Sequence, residues 1–262
     1  MKKIISAVFI VFISLFAFSQ ALYSGEYTVD GDAEWMMDFY YEYNRVDFNS
    51  LSGNWQEQSA TLSYIAGPCF TPYIELARLT RLGTTDYNIK AGGYYRLPEG
   101  SLWVEVGAGA DVDFTYNFSG IIEYESYLAE DINWLLNTTF LDYDAGSVLI
   151  LKPGLIRYLG DNHFQLSYMA IFTQGRGYAQ GADARAYFAV SENAGLLLGA
   201  SLGQRLFDLN PEIKDRPWGL NSFAGLRYNP GENLTIRAGY TYGVEEPDFR
   251  LHGPNLSLAI RF

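Results

Sequence analysis

The sequence predicts an all-β protein: a transmembrane, antiparallel, up-and-down β-barrel of the kind that bacteria place in their outer membrane. Three observations predict it. Apolar and polar residues alternate with a period of two from about residue 34, the chain opens with a secretory signal, and it closes on an alternating strand that ends at Phe262. Alternating segments of about ten residues match strands that cross a bilayer at a tilt. We count fourteen such segments, with twelve as the fallback.

The first residues form the secretory signal. Lys2 and Lys3 are a basic segment, 4–18 is an apolar segment, and Ala17 and Ser19 are small residues where a signal peptidase would cut. The apolar segment is short for a membrane anchor and no stop-transfer pattern follows it. We therefore expect three parts, namely a signal peptide over 1–19, a short lead-in over 20–33 and the barrel over 34–262.

Composition narrows the classes of function. The chain has 262 residues and a net charge of −12, with no basic cluster, so nucleic acid is not an expected partner. Cys69 is the only cysteine, which excludes an internal disulfide. The sequence has no residues at metal-ligand spacing, no phosphate-binding loop and no dinucleotide fingerprint. We therefore expect no metal and no cofactor.

The alternation assigns each strand an inward and an outward face. Leu102, Val104 and Val106 form an apolar face, while Trp103 and Glu105 lie on the opposite, inward face. The predicted strands are 34–46, 56–66, 70–81, 86–97, 101–111, 119–129, 132–141, 147–159, 163–173, 178–190, 195–204, 219–229, 233–242 and 254–262.

The connections between these strands alternate in length. Short turns alternate with generally longer connections, as expected for a barrel whose two termini lie in the periplasm. The longer ones are predicted at 47–55, 112–118, 142–146, 205–218 and 243–253, with shorter examples near 82–85 and 174–177. The 205–218 loop either lies over the rim, folds inward or binds a partner.

The last strand resembles the signal that bacterial barrels present to their assembly machinery. Leu256, Leu258, Ile260 and Phe262 lie on one face, and the strand ends at Phe262. Outer-membrane lipids and the barrel-assembly machinery are therefore the expected partners.

Charged residues on the inward faces are the candidate functional residues. Acidic ones come mostly from the first half of the chain and arginines from the second. Closure of the barrel would bring Asp38 and Glu42 near Arg237 and Arg261. Two interpretations stay open: a structural network of paired charges, or a constriction that selects solutes. The candidates are Asp38, Glu42, Glu105, Arg185, Arg227, Arg237 and Arg261.

Catalysis is the least supported interpretation. The two histidines are His163, which the pattern places at a solvated turn, and His252, which falls in the last outer loop without a serine at an informative spacing. We expect no enzyme activity.

Short strand and turn motifs over residues 34–205 resemble the YaiO family of outer-membrane barrels. They include Tyr41-Glu42-Tyr43, Gly53-Asn54-Trp55, 78–83, Tyr95-Arg96-Leu97-Pro98, Leu141-Asp142-Tyr143, Gly146-Ser147-Val148, Pro153-Gly154 and Arg157-Tyr158-Leu159-Gly160. The resemblance implies an outer-membrane location and, for some members, an association with polysaccharide systems. It carries over no catalytic residues.

Together these patterns predict a barrel that passes a hydrophilic solute or a glycan across the outer membrane. The alternative is a non-conducting structural or docking barrel with a salt-bridged lumen.

Overall fold

The computed structural model describes residues 34–48, 51–65, 70–110, 112–175, 177–204, 218–245 and 248–262. The predicted signal peptide, the lead-in, Cys69 and most of the 205–218 loop lie outside these residues. No helix in the described part of the chain is long and apolar enough to cross a membrane.

The chain forms a closed, fourteen-stranded antiparallel barrel, which confirms the predicted fold class and strand number. Each strand pairs with its neighbours in sequence, and the first strand pairs with the last. The strands are β1 (Glu34–Phe48), β2 (Leu51–Ile65), β3 (Phe70–Arg81), β4 (Thr84–Leu97), β5 (Gly100–Ala110), β6 (Phe118–Ala129), β7 (Ile132–Tyr143), β8 (Gly146–Leu159), β9 (Asn162–Thr173), β10 (Gly177–Ser191), β11 (Ala194–Gln204), β12 (Trp218–Gly231), β13 (Leu234–Glu245) and β14 (Phe249–Arg261).

The barrel has two distinct ends. We call the end where β1 begins and β14 finishes the terminal end, and the opposite one the far end. Backbone hydrogen bonds close the barrel at the terminal end, where Trp35 N donates to Phe262 O at 3.0 Å and Phe262 N donates to Trp35 O at 2.9 Å.

Side chains alternate across the barrel wall as the sequence predicts. On β5, Trp103 and Glu105 are buried inside while Val106 is exposed outside. On β14, Leu256 and Ile260 are exposed outside while Ser257 and Ala259 are buried inside. The outward face is mostly aliphatic and aromatic, which suits lipid, and the inward face holds most of the charges.

The predicted alternation of short and long connections is confirmed in part. The two longest gaps between strands, from Ala110 to Phe118 and from Gln204 to Trp218, fall where long connections are predicted, whereas three other predicted long connections are wrong. β1 reaches Phe48 and β2 begins at Leu51, so the predicted 47–55 loop is strand on both sides. The 142–146 connection is a turn between Tyr143 and Gly146, and the 243–253 connection shrinks to the gap between Glu245 and Phe249. The strands extend past the apolar alternation because ladder hydrogen bonds join backbones and do not require apolar side chains.

Candidate functional site: a charged belt and an inward-folded loop

Paired charges form a belt on the inner wall at mid-height. Lys90 Nζ lies 2.8 Å from Glu75 Oε1, on adjacent strands β4 and β3. Across the lumen, Asp183 pairs with Lys152 Nζ and Arg185 Nε, each at 3.0 Å. All five side chains are at least nine-tenths buried. Charges so far removed from water need such partners, because an unpaired buried charge costs several kcal/mol.

The closing strands add a further pair to the belt. Arg237 Nη1 lies 3.1 Å from Asp38 Oδ2, and Ser257 Oγ donates to Asp38 Oδ1 at 2.9 Å. This is the proximity that closure of the barrel predicts for Asp38 and Arg237. Arg227 lies directly opposite Arg237 on β12 and donates to Asn229 Oδ1 at 3.4 Å.

Arg261 and Glu42 have other partners at this seam. Arg261 Nε pairs with Glu34 Oε2 at 3.2 Å, at the partly exposed terminal end. Glu42 lies opposite Asn255 and accepts from Thr241 Oγ1 at 3.3 Å. The register between β1 and β14 explains both outcomes, since it sets Arg261 opposite Met36, one lumen-facing position from Glu34, and Glu42 opposite Asn255.

Glu105 belongs to a different cluster of the inner wall. Tyr73 donates to Glu105 Oε2 at 2.5 Å, and Trp103 Nε1 donates to the Tyr73 hydroxyl at 2.8 Å. Tyr94 stacks between these two aromatic rings, with centroids 5.7 Å from each. In the terminal half of the β3–β5 wall, the inward side chains are therefore mainly aromatic rings, and Glu105 is hydrogen-bonded to one of them.

Sequence reasoning missed several members of the belt. Glu57 is buried directly opposite Glu42, and Arg81 is buried near the far end of β3. Lys152 and Asp183 were also not selected, although both alternate with apolar neighbours on β8 and β10. This alternation was the available signal. It identifies a residue as lumen-facing but does not identify the residue with which it pairs.

The loop over 112–117 folds into the lumen at the far end. Asp86 of β4, which is fully buried, accepts from three consecutive backbone amides, those of Asp113 at 3.1 Å, Phe114 at 2.9 Å and Thr115 at 2.8 Å. Thr115 Oγ1 donates to Asn88 Oδ1 at 3.2 Å. A carboxylate held by a run of backbone amides is a strong anchor, because charged acceptors make the stronger hydrogen bonds.

Aromatic side chains of this loop pack inside the far half of the barrel. The Arg81 guanidinium carbon lies 4.6 Å from the Trp55 ring centre and 4.8 Å from that of Phe114, so it is held between two rings. Tyr116 joins an apolar cluster with Leu141, Val148, Ile150, Met169, Ile171 and Ala179. We call Phe114, Tyr116 and this cluster the far-end plug.

The terminal half of the β6–β10 wall carries polar and aromatic side chains that are only partly buried, among them Glu125, Tyr158 and His163. Tyr158 donates to Glu125 Oε1 at 2.8 Å, and Asn133 Nδ2 donates to the same oxygen at 2.7 Å. His163 faces the lumen beside Tyr158 and stacks on Tyr187, with ring centroids 5.4 Å apart. The expectation that His163 is a solvated turn residue is wrong, because β9 begins at Asn162 and turns its ring inward.

His252 does not lie in an outer loop either, because β14 already begins at Phe249. Its Nδ1 lies 2.8 Å from the Tyr240 hydroxyl, on the outward face. Among the described residues, no group of His, Cys, Asp and Glu is arranged to hold a metal ion.

No family model and no curated protein matches the chain in sequence. Solved structures do match its fold. A bacterial polysaccharide outer membrane secretin superposes with a TM-score of 0.55 at 10% identity, over 89% of this chain and 99% of that one. The chain has the fold of outer-membrane barrels.

Two further structures agree with this fold. The translocator domain of the autotransporter NalP from Neisseria meningitidis gives a TM-score of 0.52 at 13% identity, over 98% of this chain and 96% of that one. An outer membrane channel from Pseudomonas putida F1 gives 0.51 at 13% identity, over 91% and 98%. At such low identity the likeness concerns the fold.

Proposed function

We propose that this barrel lies in the bacterial outer membrane and passes a hydrophilic solute or a glycan across it, with the passage closed at the far end by the 112–117 loop. Its fold and its apolar outer face support the location, with the terminal end toward the periplasm. The predicted signal peptide and the resemblance to the YaiO family belong to the same proposal.

The observation that carries the proposal is the loop itself. A polar inner wall runs through the barrel from Glu125 near the terminal end to Asp86 near the far end. A loop of a few residues blocks this wall where Asp86 holds it. The blockage is held by hydrogen bonds to Asp86 and Asn88 and by the packing of its aromatic side chains. Its release would leave the strand ladder intact, which suits a passage that opens.

The terminal half suits a polar ligand with flat apolar faces. Tyr158, His163 and Tyr187 line three adjacent strands, and Glu125 and Asn133 supply polar groups beside them. A sugar ring has the same combination of hydroxyls and apolar C–H faces, so a glycan fits this wall.

A second candidate function is a non-conducting docking barrel. The buried Lys90–Glu75 and Lys152–Asp183 pairs favour it, since they lie where an open channel would hold water. In that case the outer surface would carry the function. The sequence-based expectation that the chain is not an enzyme stays a prediction under both functions.

Single-channel conductance in planar bilayers separates the two. We would compare the wild type with Asp86→Ala, which removes the anchor, and with Asp47→Asn, which removes a carboxylate from the same end without touching the loop. A channel closed by the loop predicts rare openings for the wild type and Asp47→Asn, and frequent openings for Asp86→Ala. Silence from all three folded barrels supports the docking function. Steady conductance from all three would refute closure by the loop.

A further inference from the structure

Basic side chains gather on the outward face at the far end of the closing seam. Arg45 on β1 and Arg250 and His252 on β14 all point away from the lumen. Elsewhere at this height, the described outward positions include large exposed aromatic side chains, such as Phe118, Phe140, Phe172, Tyr178 and Trp218. We call Arg45, Arg250 and His252 the seam patch.

Strand register sets these residues side by side. Arg45 lies directly opposite His252 of β14 and, on its other side, opposite Asn54 of β2. His252 in turn lies opposite Tyr242 of β13. Directly opposed side chains have Cβ atoms about 5 Å apart, so this row spans four strands as one continuous surface. Arg250 is the next outward residue beyond His252.

The surroundings hold the patch in place and include one carboxylate, that of Asp47, which lies directly opposite Arg250. The His252 ring is fixed by Tyr240, whose hydroxyl lies 2.8 Å from Nδ1. Arg45 Nε lies 3.6 Å from Asp47 Oδ1, and Asp47 also accepts from Ser52 Oγ at 2.6 Å. The Arg45 side chain is nevertheless 59% exposed, so its terminal N–H groups are open to a ligand.

Charges on this face have a defined cost. An arginine on the lipid-facing side of a barrel costs about 2–4 kcal/mol at the midplane and about 0–1 kcal/mol near the interface. The position of Arg45 and Arg250 near the strand ends therefore suits the headgroup layer. A guanidinium is also the side chain that best matches phosphate, through two parallel N–H···O bonds. Because the whole chain carries −12, attraction of an anion must come from such a local patch.

We propose that the seam patch binds the phosphate monoester of an anionic lipid headgroup in the leaflet at the far end. This rests on the proposed membrane location and is independent of whether the lumen conducts. The arginines supply the charge-assisted hydrogen bonds, while Tyr242 lies in the same row and Tyr240 lies one outward position nearer mid-height.

The test is a lipid titration of the folded barrel in neutral detergent micelles, followed by native mass spectrometry. The probe is bisphosphorylated lipid A, compared with the same lipid after enzymatic removal of its phosphates. The test variant is the double substitution Arg45→Gln and Arg250→Gln. The matched control is Arg78→Gln with Arg157→Gln, two outward arginines of β3 and β8 that lie outside the patch.

We expect the wild type and the control to prefer the phosphorylated lipid, and the seam variant to bind it about ten-fold more weakly. Equal weakening in the control would show that binding follows net charge and would overturn the proposal. So would equal binding of the dephosphorylated lipid. If inorganic phosphate competes with an affinity equal to that of the lipid, the patch binds the free anion and the proposed lipid site is overturned. Conductance and heat-modifiable migration report on the barrel separately, so failure of the lipid site is distinguishable from failure of the proposed function.

Discussion

Removal of Lys90 tests whether the lumen is dry. Its Nζ lies 2.8 Å from Glu75 Oε1, both side chains are less than 5% exposed, and Thr61 Oγ1 donates to Glu75 Oε2 at 3.2 Å. In Lys90→Met, Glu75 keeps the hydrogen bond from Thr61 and loses the counter-charge of Lys90. Breaking a buried ion pair from one side costs about 3–5 kcal/mol, whereas replacing both partners by apolar residues is often neutral. We therefore expect a loss of that size for Lys90→Met and recovery of most of it in Lys90→Met with Glu75→Leu.

The assay is equilibrium unfolding in guanidinium from lipid vesicles, followed by tryptophan fluorescence, and the control is Arg261→Met. The Arg261 pair with Glu34 is of similar length, 3.2 Å, but its side chains are 23% and 37% exposed. Exposed pairs contribute about 0–1 kcal/mol, so this variant should lose little. If Lys90→Met loses no more than Arg261→Met, water reaches Glu75 and the reasoning for a closed belt fails.

Two further predictions concern assembly and lipid contact. Deletion of Phe262 removes its two backbone hydrogen bonds with Trp35 and the end of the predicted assembly signal. We therefore expect the chain to be secreted but not inserted into the membrane. Normal insertion in a fractionation assay would contradict this. Val106→Arg places a charge on the exposed outward face of β5. It should lower the unfolding free energy in vesicles by about 2–4 kcal/mol, against almost nothing for Val106→Leu. An unchanged unfolding free energy in Val106→Arg would show that this face does not contact lipid.

The number of strands and the face on which each side chain lies were predictable, because both follow from the two-residue alternation of apolar and polar side chains. A lumen-facing residue such as Arg237 and a lipid-facing one such as Leu256 are distinguished by the alternation alone. The ends of the strands were not predictable. Asp47 and Ser52 are polar, yet they continue the β1–β2 ladder toward the far end, beyond the part with apolar alternation. The predicted long loops at 47–55 and 243–253 were wrong for this reason.

Which inward-facing residues pair with one another depends on the register between strands, and the alternation along one strand does not determine that register. Closure of the barrel brings β1 and β14 together in any register, but only the observed one sets Asp38 rather than Glu42 beside Arg237. The inward fold of 112–117 was missed as well. Its signal was present in the two large aromatic residues Phe114 and Tyr116, which a solvated loop has no reason to carry.

The arrangement also indicates which part of the lumen would move during transport. To open the belt, several buried pairs such as Lys90–Glu75 and Lys152–Asp183 would have to separate, each at a cost of several kcal/mol. To open the far-end plug, the 112–117 loop needs only to leave Asp86 and withdraw Phe114 and Tyr116, while every strand keeps its ladder. A segment with few backbone hydrogen bonds to its neighbours, here those of Asn117 with Gly109 and Asp142, opens at lower free energy than the strands that flank it. Under the proposed transport function, the loop is therefore the part that moves, and the belt keeps its pairs.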